Sequence, residues 1–368
     1  MKLLKSISPP GFSGLKKYRY RLLLYIAFSW TFIDTVYIII KYRVVGYVAK
    51  FYFFEYNDSR AIVLRALIVL VFSCIIGYLL VVQLKTHGTE TPLWLTFLIK
   101  TLLLLVAVCL MNFAIHLTYS LFISKLSLYN ALKEFKHDAF KTQWLLAKVP
   151  NWIMISLFTQ LIIAINEKYS PGIFKDIFLG KYIHPRNENR IVMFMDLKDS
   201  TPIAEKLGHK EYFRFIRDFI YYISIAMIEY NGRIYQYVGD EVVVSWPYSL
   251  KNSRKCLEAL IEARKLLQRT SGRFRRKFGI VPEFRVGIHV GEVTVGEIGV
   301  IKKDLAISGD TMNTTARIRT ACSELNQKFI VSKNFAEVMD LKEWQAESLG
   351  VVDLKGKKEG VELFALKI

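Results

Sequence analysis

Two aspartates stand where strand-like stretches of the sequence end, and together they could support metal chemistry. Asp196 closes the apolar run RIVMFMD (190–196), which is typical of a buried strand. Asp240 lies between two β-rich runs in IYQYVGDEVVVSW (234–246), a pattern that predicts a tight hairpin. A strand end beside a hairpin tip would direct two carboxylates into one cleft, where they could hold Mg²⁺ ions on a triphosphate. The alternative is that both are surface aspartates in turns.

A third stretch adds groups that could act on a phosphate. DLAISGDTMNTTARIRT (304–320) predicts a strand, a turn at Gly309-Asp310 and then a helix. Asn313 and Arg317 are four residues apart, so they lie on one helical face. An amide and a guanidinium placed in this way can hold a ribose and stabilise charge that develops on phosphorus. An ordinary salt-bridging arginine near a helix start is the alternative.

Four stretches in chain order resemble the signature blocks of the class III nucleotidyl cyclases, the family of adenylate and guanylate cyclase catalytic domains. They are MFMDLKDST, YVGDEVV, FRVGIHVGEVTVGEIG and SGDTMNTTARI. The resemblance extends over about 186–368, and four ordered blocks are far more specific than one motif. It implies a ferredoxin-like α+β catalytic domain. The implied reaction converts a nucleoside triphosphate into a 3′,5′-cyclic nucleotide and pyrophosphate, for intracellular signalling.

The same resemblance implies positions for the metal ions and the triphosphate. Two Mg²⁺ or Mn²⁺ ions per active site would be ligated by Asp196, the backbone of Leu197, and Asp240. The triphosphate would lie at a helix start, lined by the backbone amides of Lys198, Asp199, Ser200 and Thr201. The late phosphate-binding lysine of the family is matched by Lys355, although two further lysines follow within DLKGKKEG (353–360).

The resemblance also implies how the reacting groups meet. Asn313 would position the ribose, and Arg317 would stabilise the pentavalent phosphorus. In the family, these two residues and the metal-binding residues come together across a head-to-tail dimer. Because this chain carries both sets, a homodimer with two equivalent, shared active sites is implied.

Two positions that contact the base depart from the family pattern. Members that make cyclic AMP carry a lysine four residues before the second metal aspartate, where this chain has Gln236. They carry Asp or Thr three residues before Gly309, where this chain has Ala306. The guanylate pattern, an acidic residue and a small polar one, fits no better. Since an amide both donates and accepts hydrogen bonds, Gln236 could pair with adenine, guanine or a pyrimidine. ATP is the expected substrate because it is abundant and most family members of bacterial appearance use it; GTP comes next, and CTP and UTP remain open.

Three other functions are alternatives to that of a cyclase. Gly-Asp-Glu (239–241) at a hairpin tip resembles a diguanylate cyclase motif, but the stretch around Asn313 and Arg317 is foreign to that family. A catalytically inactive, membrane-bound nucleotide-binding module would be expected to lack a metal or transition-state residue, and none is missing. A transporter would require more spans or an internal repeat, and the sequence shows no repeat.

The elements that must position these residues fill the second half of the chain. The patterns predict an α+β order in which helices pack on a sheet. The predicted elements are strand 190–196, helix 199–229, hairpin 232–246, helix 250–278, strands 284–290 and 293–298, helix 310–323, and short strands near 328–331, 346–352 and 361–367.

The first half of the chain has the composition of a membrane domain. The mean hydropathy of the whole chain is +0.26, and 52% of its residues are apolar. Four apolar runs are each long enough to cross a hydrocarbon core of about 30 Å; they are at about 20–40, 61–84, 93–123 and 150–166. The prediction is therefore an all-α transmembrane domain over 1–166, a linker over 167–189 and a catalytic domain over 190–368.

Charge and topology point to a lipid bilayer as a partner. Of the net charge of +19, +12 falls before residue 167, which favours anionic lipid headgroups and gives no support for a nucleic-acid partner. Four spans would keep both ends in the cytoplasm of a multi-pass plasma-membrane protein. The predicted outer loops, 41–60 and 124–143, are also basic, so the positive-inside rule is only partly obeyed; a further half-buried segment around 44–54 is the alternative.

Ionisable groups inside or near the apolar runs have two interpretations. They are Asp34, Arg65, Lys100 and His116. Such groups can mark a ligand or proton site, but mutual pairing within the helix bundle is favoured here. In the linker, GIFKDIFLGKY (172–182) predicts a short amphipathic helix. The four cysteines show no CxxC spacing, which indicates neither a disulfide framework nor a zinc site.

Overall fold

The computed structural model describes residues 13–45, 59–83, 92–141, 144–168, 173–301, 304–357 and 359–368. The chain divides into two compact units, Met1–Glu167 and Lys168–Ile368. The first unit is helical where it is described. Its helices are α1 (Ser13–Val45), α2 (Ser59–Tyr78, continued by a π-helical segment, Leu79–Gln83), α3 (Leu93–Phe122), α4 (Leu128–Lys141) and α5 (Trp144–Lys168).

Three of these helices are long and apolar enough to cross a membrane, judged by length and composition. The stretches are Arg19–Ile40, Arg60–Val81 and Trp94–Phe122. The fourth predicted span is shorter than expected, because only Trp152–Ile165 of α5 is apolar. Polar residues at both ends of that stretch, Asn151 and Asn166, limit its length. The structure therefore provides three candidate spans among the described residues, where the sequence predicted four.

The segment 124–143, predicted as a loop, contains a helix. In α4, Ala131 is fully buried, and Phe135 stacks edge-on against Phe113 of α3 at 4.8 Å between ring centroids. The spacing of Ala131 and Phe135 places both on one helical face, and this pairing explains why the segment is ordered. The half-buried segment suggested around 44–54 lies almost wholly outside the described residues, since α1 ends at Val45.

Two of the four ionisable groups, Asp34 and Arg65, pair with each other within the bundle, as the favoured interpretation predicts. Arg65 donates two hydrogen bonds to the carboxylate of Asp34, at 2.8 and 2.9 Å, and both side chains are buried. His116 lies 3.3 Å from the carbonyl oxygen of Ala131. Because a buried charge is tolerated when it is paired and hydrogen-bonded, these contacts account for both charged groups without a bound ligand.

The second unit is built on one eight-stranded sheet. Its strands are β1 (Arg186–Leu197), β2 (Arg233–Val238), β3 (Glu241–Pro247), β4 (Phe284–Ile298), β5 (Asp304–Ser308), β6 (Phe329–Ser332), β7 (Ala346–Val352) and β8 (Val361–Leu366). Its helices are α6 (Ile173–Phe178), α7 (Ser200–Glu229), α8 (Leu250–Phe278), α9 (Asp310–Glu324) and α10 (Lys333–Met339). The strand order is β2-β3-β1-β4-β6-β8-β7, and β5 pairs with β4.

The first six elements after α6 form a β-α-β-β-α-β unit. Strand β1 lies between β3 and β4, and all three ladders along β2-β3-β1-β4 are antiparallel. This order is the ferredoxin-like arrangement, as the sequence predicted. Helix α6 agrees with the short linker helix, and β1 begins four residues before the predicted start at residue 190.

Two details of the sequence prediction are corrected by the sheet. The strands predicted over 284–290 and 293–298 are one continuous strand, β4, which pairs with β1 from Phe284 through Val295. Gly291-Glu292 was interpreted as a break, but the backbone stays extended there, with Gly291 facing the start of α9. Helix α10 was not predicted, because its seven residues are too few for a clear periodic signal.

The two faces of the sheet carry different helices. Helices α7 and α8 pack together through aromatic rings, among them Phe215 and Phe274 at 5.5 Å. Helix α9 covers the other face, where Met312 joins the core cluster of Val192 and Phe194 from β1. Alternate residues of a strand point to opposite faces, so Asp196, two residues after Phe194, points to the same face as α9.

Helix α9 lies unusually close to β4, and two glycines permit it. A Cβ atom on Gly287 would lie 2.5 Å from the backbone nitrogen of Arg319 and 2.8 Å from the carbonyl oxygen of Thr315. A Cβ atom on Gly291 would overlap the hydroxyl of Thr311. Real Cβ contacts are essentially never this short, so the close approach requires glycine at both positions. The backbone of α9 is thereby fixed over the strands that carry the candidate site.

Candidate active site

The carboxylates of Asp196 and Asp240 are brought together by strand pairing. Met195 of β1 pairs with Val242 of β3, so Asp196 stands opposite Glu241, and Asp240 lies in the turn just before it. The side chains of Asp196 and Asp240 are close enough to share a hydrogen-bond contact. The structure thus unites two residues that the sequence placed in one cleft and adds a third carboxylate, that of Glu241.

Arg319 of α9 bridges two of these carboxylates. Its Nη1 donates to Asp196 Oδ2 at 3.2 Å, and its Nη2 forms an ion pair with Glu241 Oε2 at 2.7 Å. The Arg319 side chain is about one quarter exposed, at 27%. The sequence analysis assigned no role to Arg319 or Glu241, because 123 positions separate Arg319 from Asp196 and no local pattern links them.

The pKa values of Asp196 and Glu241 reflect burial and the charges around them. Burial raises the pKa of Asp196 to about 6; Arg319 opposes this shift, and the carboxylates of Asp240 and Glu241 add to it. Burial also raises the pKa of Glu241, again opposed by Arg319. A compact group of acids with one arginine therefore lacks sufficient positive charge, which is the situation that a divalent cation relieves.

The donor set fits a magnesium or manganese ion held jointly with a phosphate. Asp240 Oδ2 is buried and has no hydrogen-bond partner among the residues that the structure describes. Within the same residues, no group of three His, Cys, Asp or Glu side chains forms a metal cage of its own. Mg²⁺ commonly takes one or two carboxylates and completes its shell with water and substrate phosphates. The residues present suit that mode of binding.

The segment after β1 presents the start of α7 to the same carboxylates. Asp199, the residue before the helix, has a left-handed backbone conformation with φ of 57°. The amide of Lys198 donates to the carbonyl oxygen of Glu283 at 2.8 Å, so it is already engaged by the sheet. Ser200 and Thr201 occupy the first turn of α7, where backbone amides have no helical acceptor. Leu197 is buried beside them.

Tyr212 of α7 is a further group near the carboxylates that the sequence analysis did not single out. Burial raises the pKa of its hydroxyl, the negative charges of Asp240 and Asp196 raise it further, and a hydrogen bond with Ser200 opposes them. Its ring therefore links the start of α7 with the carboxylate cluster. A tyrosine within a long amphipathic helix gives no sequence signal for such a position.

Asn313 and Arg317 lie on a different side of α9 from Arg319. An α-helix turns by about 100° per residue, so Arg317 and Arg319 project roughly 200° apart. The guanidinium of Arg317 lies beside Gly356, since a Cβ atom there would be 3.2 Å from its Nη2. Asn313 is exposed at the start of the helix. Within one chain, the structure brings Asp196 to Arg319 and directs Arg317 elsewhere.

The loop that carries Lys355 lies against the start of α9. Lys357 Nζ donates to Asp310 Oδ2 at 2.6 Å, while Lys355 is exposed. The loop contact with Arg317 and the ion pair at Asp310 therefore place two basic groups, those of Arg317 and Lys357, along one edge of the helix, and Lys355 belongs to the same loop. Such an edge could receive a polyanion such as a triphosphate.

The residues next to the two base-contacting candidates are joined by a hydrogen bond. Tyr235, next to Gln236, accepts a hydrogen bond from the amide of Ile307, next to Ala306, at 2.9 Å. The register of β2 on β3 shifts between Ile234 and Gln236. Gln236 is exposed and Ala306 is half-buried. Gln236 of β2 and Ala306 of β5 therefore lie on strands that do not pair with each other but are linked by this hydrogen bond.

A comparison with protein families assigns most of the second unit. Residues 183–367 match the family described as the adenylate and guanylate cyclase catalytic domain. The match includes all twelve residues for which the sequence analysis proposed roles, and it extends over half of the chain. It leaves the diguanylate cyclase interpretation of Gly-Asp-Glu (239–241) without support.

Curated relatives with this family's activities are similar to the second unit. Adenylate cyclase 2 of Rhizobium meliloti (strain 1021) is 28% identical over 207 residues, which is 56% of this chain and 57% of that protein. The receptor-type guanylate cyclase gcy-10 of Caenorhabditis elegans is 22% identical over 200 residues, 53% of this chain and 18% of that protein. The chain therefore spans less than two thirds of the length of these relatives.

A solved structure agrees with the fold. A bacterial light-regulated adenylyl cyclase superposes with a TM-score of 0.52 at 17% sequence identity, covering 60% of this chain and 65% of that chain. At this identity, the similarity establishes the arrangement of strands and helices. The roles of individual side chains must be argued from the geometry of the site.

Proposed function

Because this chain belongs to the family of adenylate and guanylate cyclase catalytic domains, we propose that it converts ATP into 3′,5′-cyclic AMP and pyrophosphate for intracellular signalling. The observation that carries the proposal is the paired acidic site, in which Asp240 Oδ2 is buried without a partner among the described residues and lies beside Asp196. A buried carboxylate oxygen of this kind requires a cation, and a nucleotide brings Mg²⁺ with its phosphates.

In the proposed reaction, the ribose 3′-oxygen forms a bond to the α-phosphorus, and the bond from that phosphorus to the β-phosphate oxygen breaks. The proton of the 3′-hydroxyl passes to solvent. Asp196, the backbone of Leu197 and Asp240 would hold two Mg²⁺ or Mn²⁺ ions per site. When bound, these ions lower the pKa of the attacking hydroxyl and offset the charge of the departing pyrophosphate.

The remaining groups of the chain bind and orient the nucleotide. The amides at the start of α7, from Asp199 to Thr201, are directed at phosphate oxygens by the helix end. Asn313 orients the ribose, and Arg317 donates to the oxygens of the reacting phosphorus, where its charge is worth most in the transition state. Lys355 contacts the leaving phosphates.

These two sets of residues are supplied to each site by two chains. Arg317 and Arg319 project to nearly opposite sides of α9, and Arg319 occupies the side that faces Asp196 of the same chain. A second copy, related by a two-fold axis, would bring its Asn313 and Arg317 to the carboxylates of the first. The proposal is therefore a homodimer with two equivalent, shared sites.

ATP is proposed as the substrate on the strength of the relatives, and GTP is the second candidate. Adenylate cyclases of Rhizobium meliloti and Anabaena cylindrica are among the similar proteins. Receptor-type guanylate cyclases are similar as well, and Gln236 can pair with either purine.

The product identifies both the reaction and the base. The detergent-purified full chain is incubated separately with ATP, GTP, CTP and UTP, with Mg²⁺ or Mn²⁺, and the products are identified by mass spectrometry. We expect 3′,5′-cyclic AMP and pyrophosphate from ATP. Cyclic GMP or a cyclic pyrimidine nucleotide alone would reassign the base, and the absence of any cyclic product would favour an inactive nucleotide-binding module.

We further propose that the first unit anchors the enzyme in the plasma membrane as a multi-pass domain, with the catalytic unit in the cytoplasm. The three apolar helices support this placement, and a cytoplasmic site has access to nucleoside triphosphates. Trypsin added to sealed, right-side-out vesicles should leave the catalytic unit intact, and trypsin added to inside-out vesicles should cleave it. Cleavage from the outer side would contradict the topology.

A further inference from the structure

The acidic site contains a cation of its own, the guanidinium of Arg319. This group contacts Asp196 at 3.2 Å and Glu241 at 2.7 Å, on the face of the sheet that α9 covers. The third carboxylate, that of Asp240, keeps a buried oxygen without a partner among the described residues. Arg319 therefore contacts two of the three carboxylates. The carboxylate that it does not contact, that of Asp240, is one of the two candidate side-chain metal ligands.

Arg319 has little freedom to withdraw from this position by moving its helix. The backbone nitrogen of Arg319 lies only 2.5 Å from the position that a Cβ atom on Gly287 would take, so α9 packs directly on β4. Any change at the guanidinium must therefore come from rotation of the side chain. Rotation about its own bonds can move the guanidinium from Asp196 toward Glu241, with which Nη2 already forms an ion pair.

On this geometry we propose that Arg319 is an internal counter-ion that occupies Asp196 until a divalent cation displaces it, and that Glu241 retains the guanidinium when the metal is bound. The inference rests on the proposed function, because it concerns the same two metal ligands. Arg319 is thus a positioning residue that sets the affinity of the site for metal, and Glu241 is its partner. Neither residue contacts the nucleotide in this proposal.

Arg319 and a metal ion would compete for the same carboxylate oxygen of Asp196, and this competition affects the affinity of the site for metal. A guanidinium hydrogen bond to Asp196 is charge-assisted, and a metal that takes the same oxygen must first replace it. Glu241 lowers the cost of this exchange because the arginine keeps one ionic partner. These groups also set the formal charge of the site. Three carboxylates and one guanidinium give −2, which one Mg²⁺ would neutralise.

A charge-matched double variant separates competition from simple electrostatics. Arg319→Gln together with Glu241→Gln removes one positive and one negative group, so the formal charge of the site stays at −2. If Arg319 competes for Asp196, the double variant binds Mn²⁺ more tightly than the wild type, by about tenfold for the loss of one charge-assisted hydrogen bond. If the pair acts only through net charge, the two proteins bind Mn²⁺ equally.

The measurement is Mn²⁺ binding by electron paramagnetic resonance, on the detergent-purified full chain without nucleotide and at one pH. The single variant Glu241→Gln should bind Mn²⁺ more weakly than the wild type, because Arg319 then has Asp196 as its remaining carboxylate partner. Asp240→Asn defines the background from other sites. Lys333→Gln with Glu362→Gln, which removes an exposed ion pair of 2.6 Å elsewhere in the unit, is the matched control and should leave the Mn²⁺ affinity unchanged.

Two further measurements keep a folding defect apart from the proposed role. Thermal unfolding of each variant establishes that the catalytic unit is folded, and Arg319→Lys, which keeps one positive charge, should bind Mn²⁺ with an affinity between those of the wild type and the double variant. Equal or weaker binding by a folded double variant overturns the inference. Failure of the wild type and every variant to bind Mn²⁺ without nucleotide also overturns it, and cyclic-nucleotide synthesis by the same preparation would then leave the proposed function standing.

Discussion

Arg317 and Arg319 leave the same helix on nearly opposite sides, and only Arg319 reaches the acidic site of its own chain. Arg319 bridges Asp196 and Glu241, while Arg317 lies beside Gly356. In the proposed function Arg317 acts on the reacting phosphate, so the carboxylates that it works with would belong to a second chain.

The first prediction concerns shared sites. Asp196→Asn and Arg317→Ala chains should each be inactive alone, because each damages both sites of its own homodimer. When the two are co-expressed, half of the dimers contain one chain of each kind, and one of the two sites in such a dimer is intact. Mixing should therefore restore about a quarter of the wild-type rate of cyclic-nucleotide synthesis.

The rescue can be checked against co-expression of each variant with itself, at equal total protein. Activity that does not rise above the two single variants would show that each site is built from one chain. Arg317→Ala should lower the turnover number more than it weakens nucleotide binding, because the guanidinium acts where charge develops on phosphorus.

The second prediction concerns the unpartnered oxygen of Asp240. Asp240→Asn keeps the shape of the side chain but halves its capacity to ligate a metal, so the turnover number should fall by roughly a hundredfold or more. Because a buried carboxylate oxygen without a partner is itself costly, and Asp240 Oδ2 has none among the described residues, the thermal stability of the metal-free protein should stay equal or rise. Retained Mg²⁺-dependent activity would remove Asp240 from the metal site.

The parts of the site that could be predicted from the sequence are those that rest on local patterns. The run that ends at Asp196, the Gly-Asp turn at Asp240 and the four-residue spacing of Asn313 and Arg317 each have a short-range signal, and the structure contains the strand, the hairpin and the helix that these signals predict. The ferredoxin-like order followed from the resemblance of four blocks. Each of these signals lies within a short stretch of sequence, and the order of the blocks relates the stretches to one another.

The contacts between Arg319 and the carboxylates could not be predicted from a local sequence pattern. Arg319 meets Asp196 across 123 positions, and nothing in ARIRT distinguishes it from a solvent-exposed arginine. The continuity of β4 through Gly291 was missed because a glycine within a strand usually marks a break, whereas here the glycine admits Thr311 of α9. Helix α4 was missed because its two packed residues, Ala131 and Phe135, are few among polar neighbours.

The third prediction concerns the close packing of α9 on β4. Gly287→Ala should destabilise the catalytic unit by about 2 kcal/mol or more, because the added methyl would overlap the backbone of Arg319 and Thr315. In a unit of this size, that loss lowers the melting temperature by roughly 4–8 °C. The measurement is thermal unfolding of the detergent-purified full chain.

A glycine elsewhere in the same unit provides the control for Gly287. Gly272 lies in α8, is exposed, and a Cβ atom there would meet nothing within 4 Å. Gly272→Ala should therefore stabilise the unit by up to about 1 kcal/mol, because alanine favours a helix over glycine. If both substitutions changed the melting temperature in the same direction, the close approach of α9 to β4 would not be the reason for the glycine at 287.

The fourth prediction concerns His289, which is buried on β4 and lies 2.7 Å from the hydroxyl of Ser332 through its Nδ1. Burial lowers the pKa of His289 from 6.5 to about 4, the positive charge of Lys357 lowers it further, and Asp310 opposes them. The folded state therefore holds a neutral imidazole, while the unfolded chain takes up a proton below about pH 6.5. Stability is then lost as the pH falls from about 6.5 to about 4, by a total of about 3 kcal/mol.

This loss can be isolated by comparing the wild type with His289→Asn, whose amide can still hydrogen-bond to Ser332 but does not titrate. Melting temperatures of the full chain are measured between pH 7.5 and pH 4.5 in one detergent. Carboxylates change the stability of both proteins, so the informative quantity is the difference between the two curves. We expect that difference to be constant above pH 7 and to shift in favour of the variant below pH 6, because only the wild type has an imidazole to protonate on unfolding. Parallel curves over the whole range would mean that His289 has the same pKa in both states, and the buried imidazole would then have to be charged in the fold.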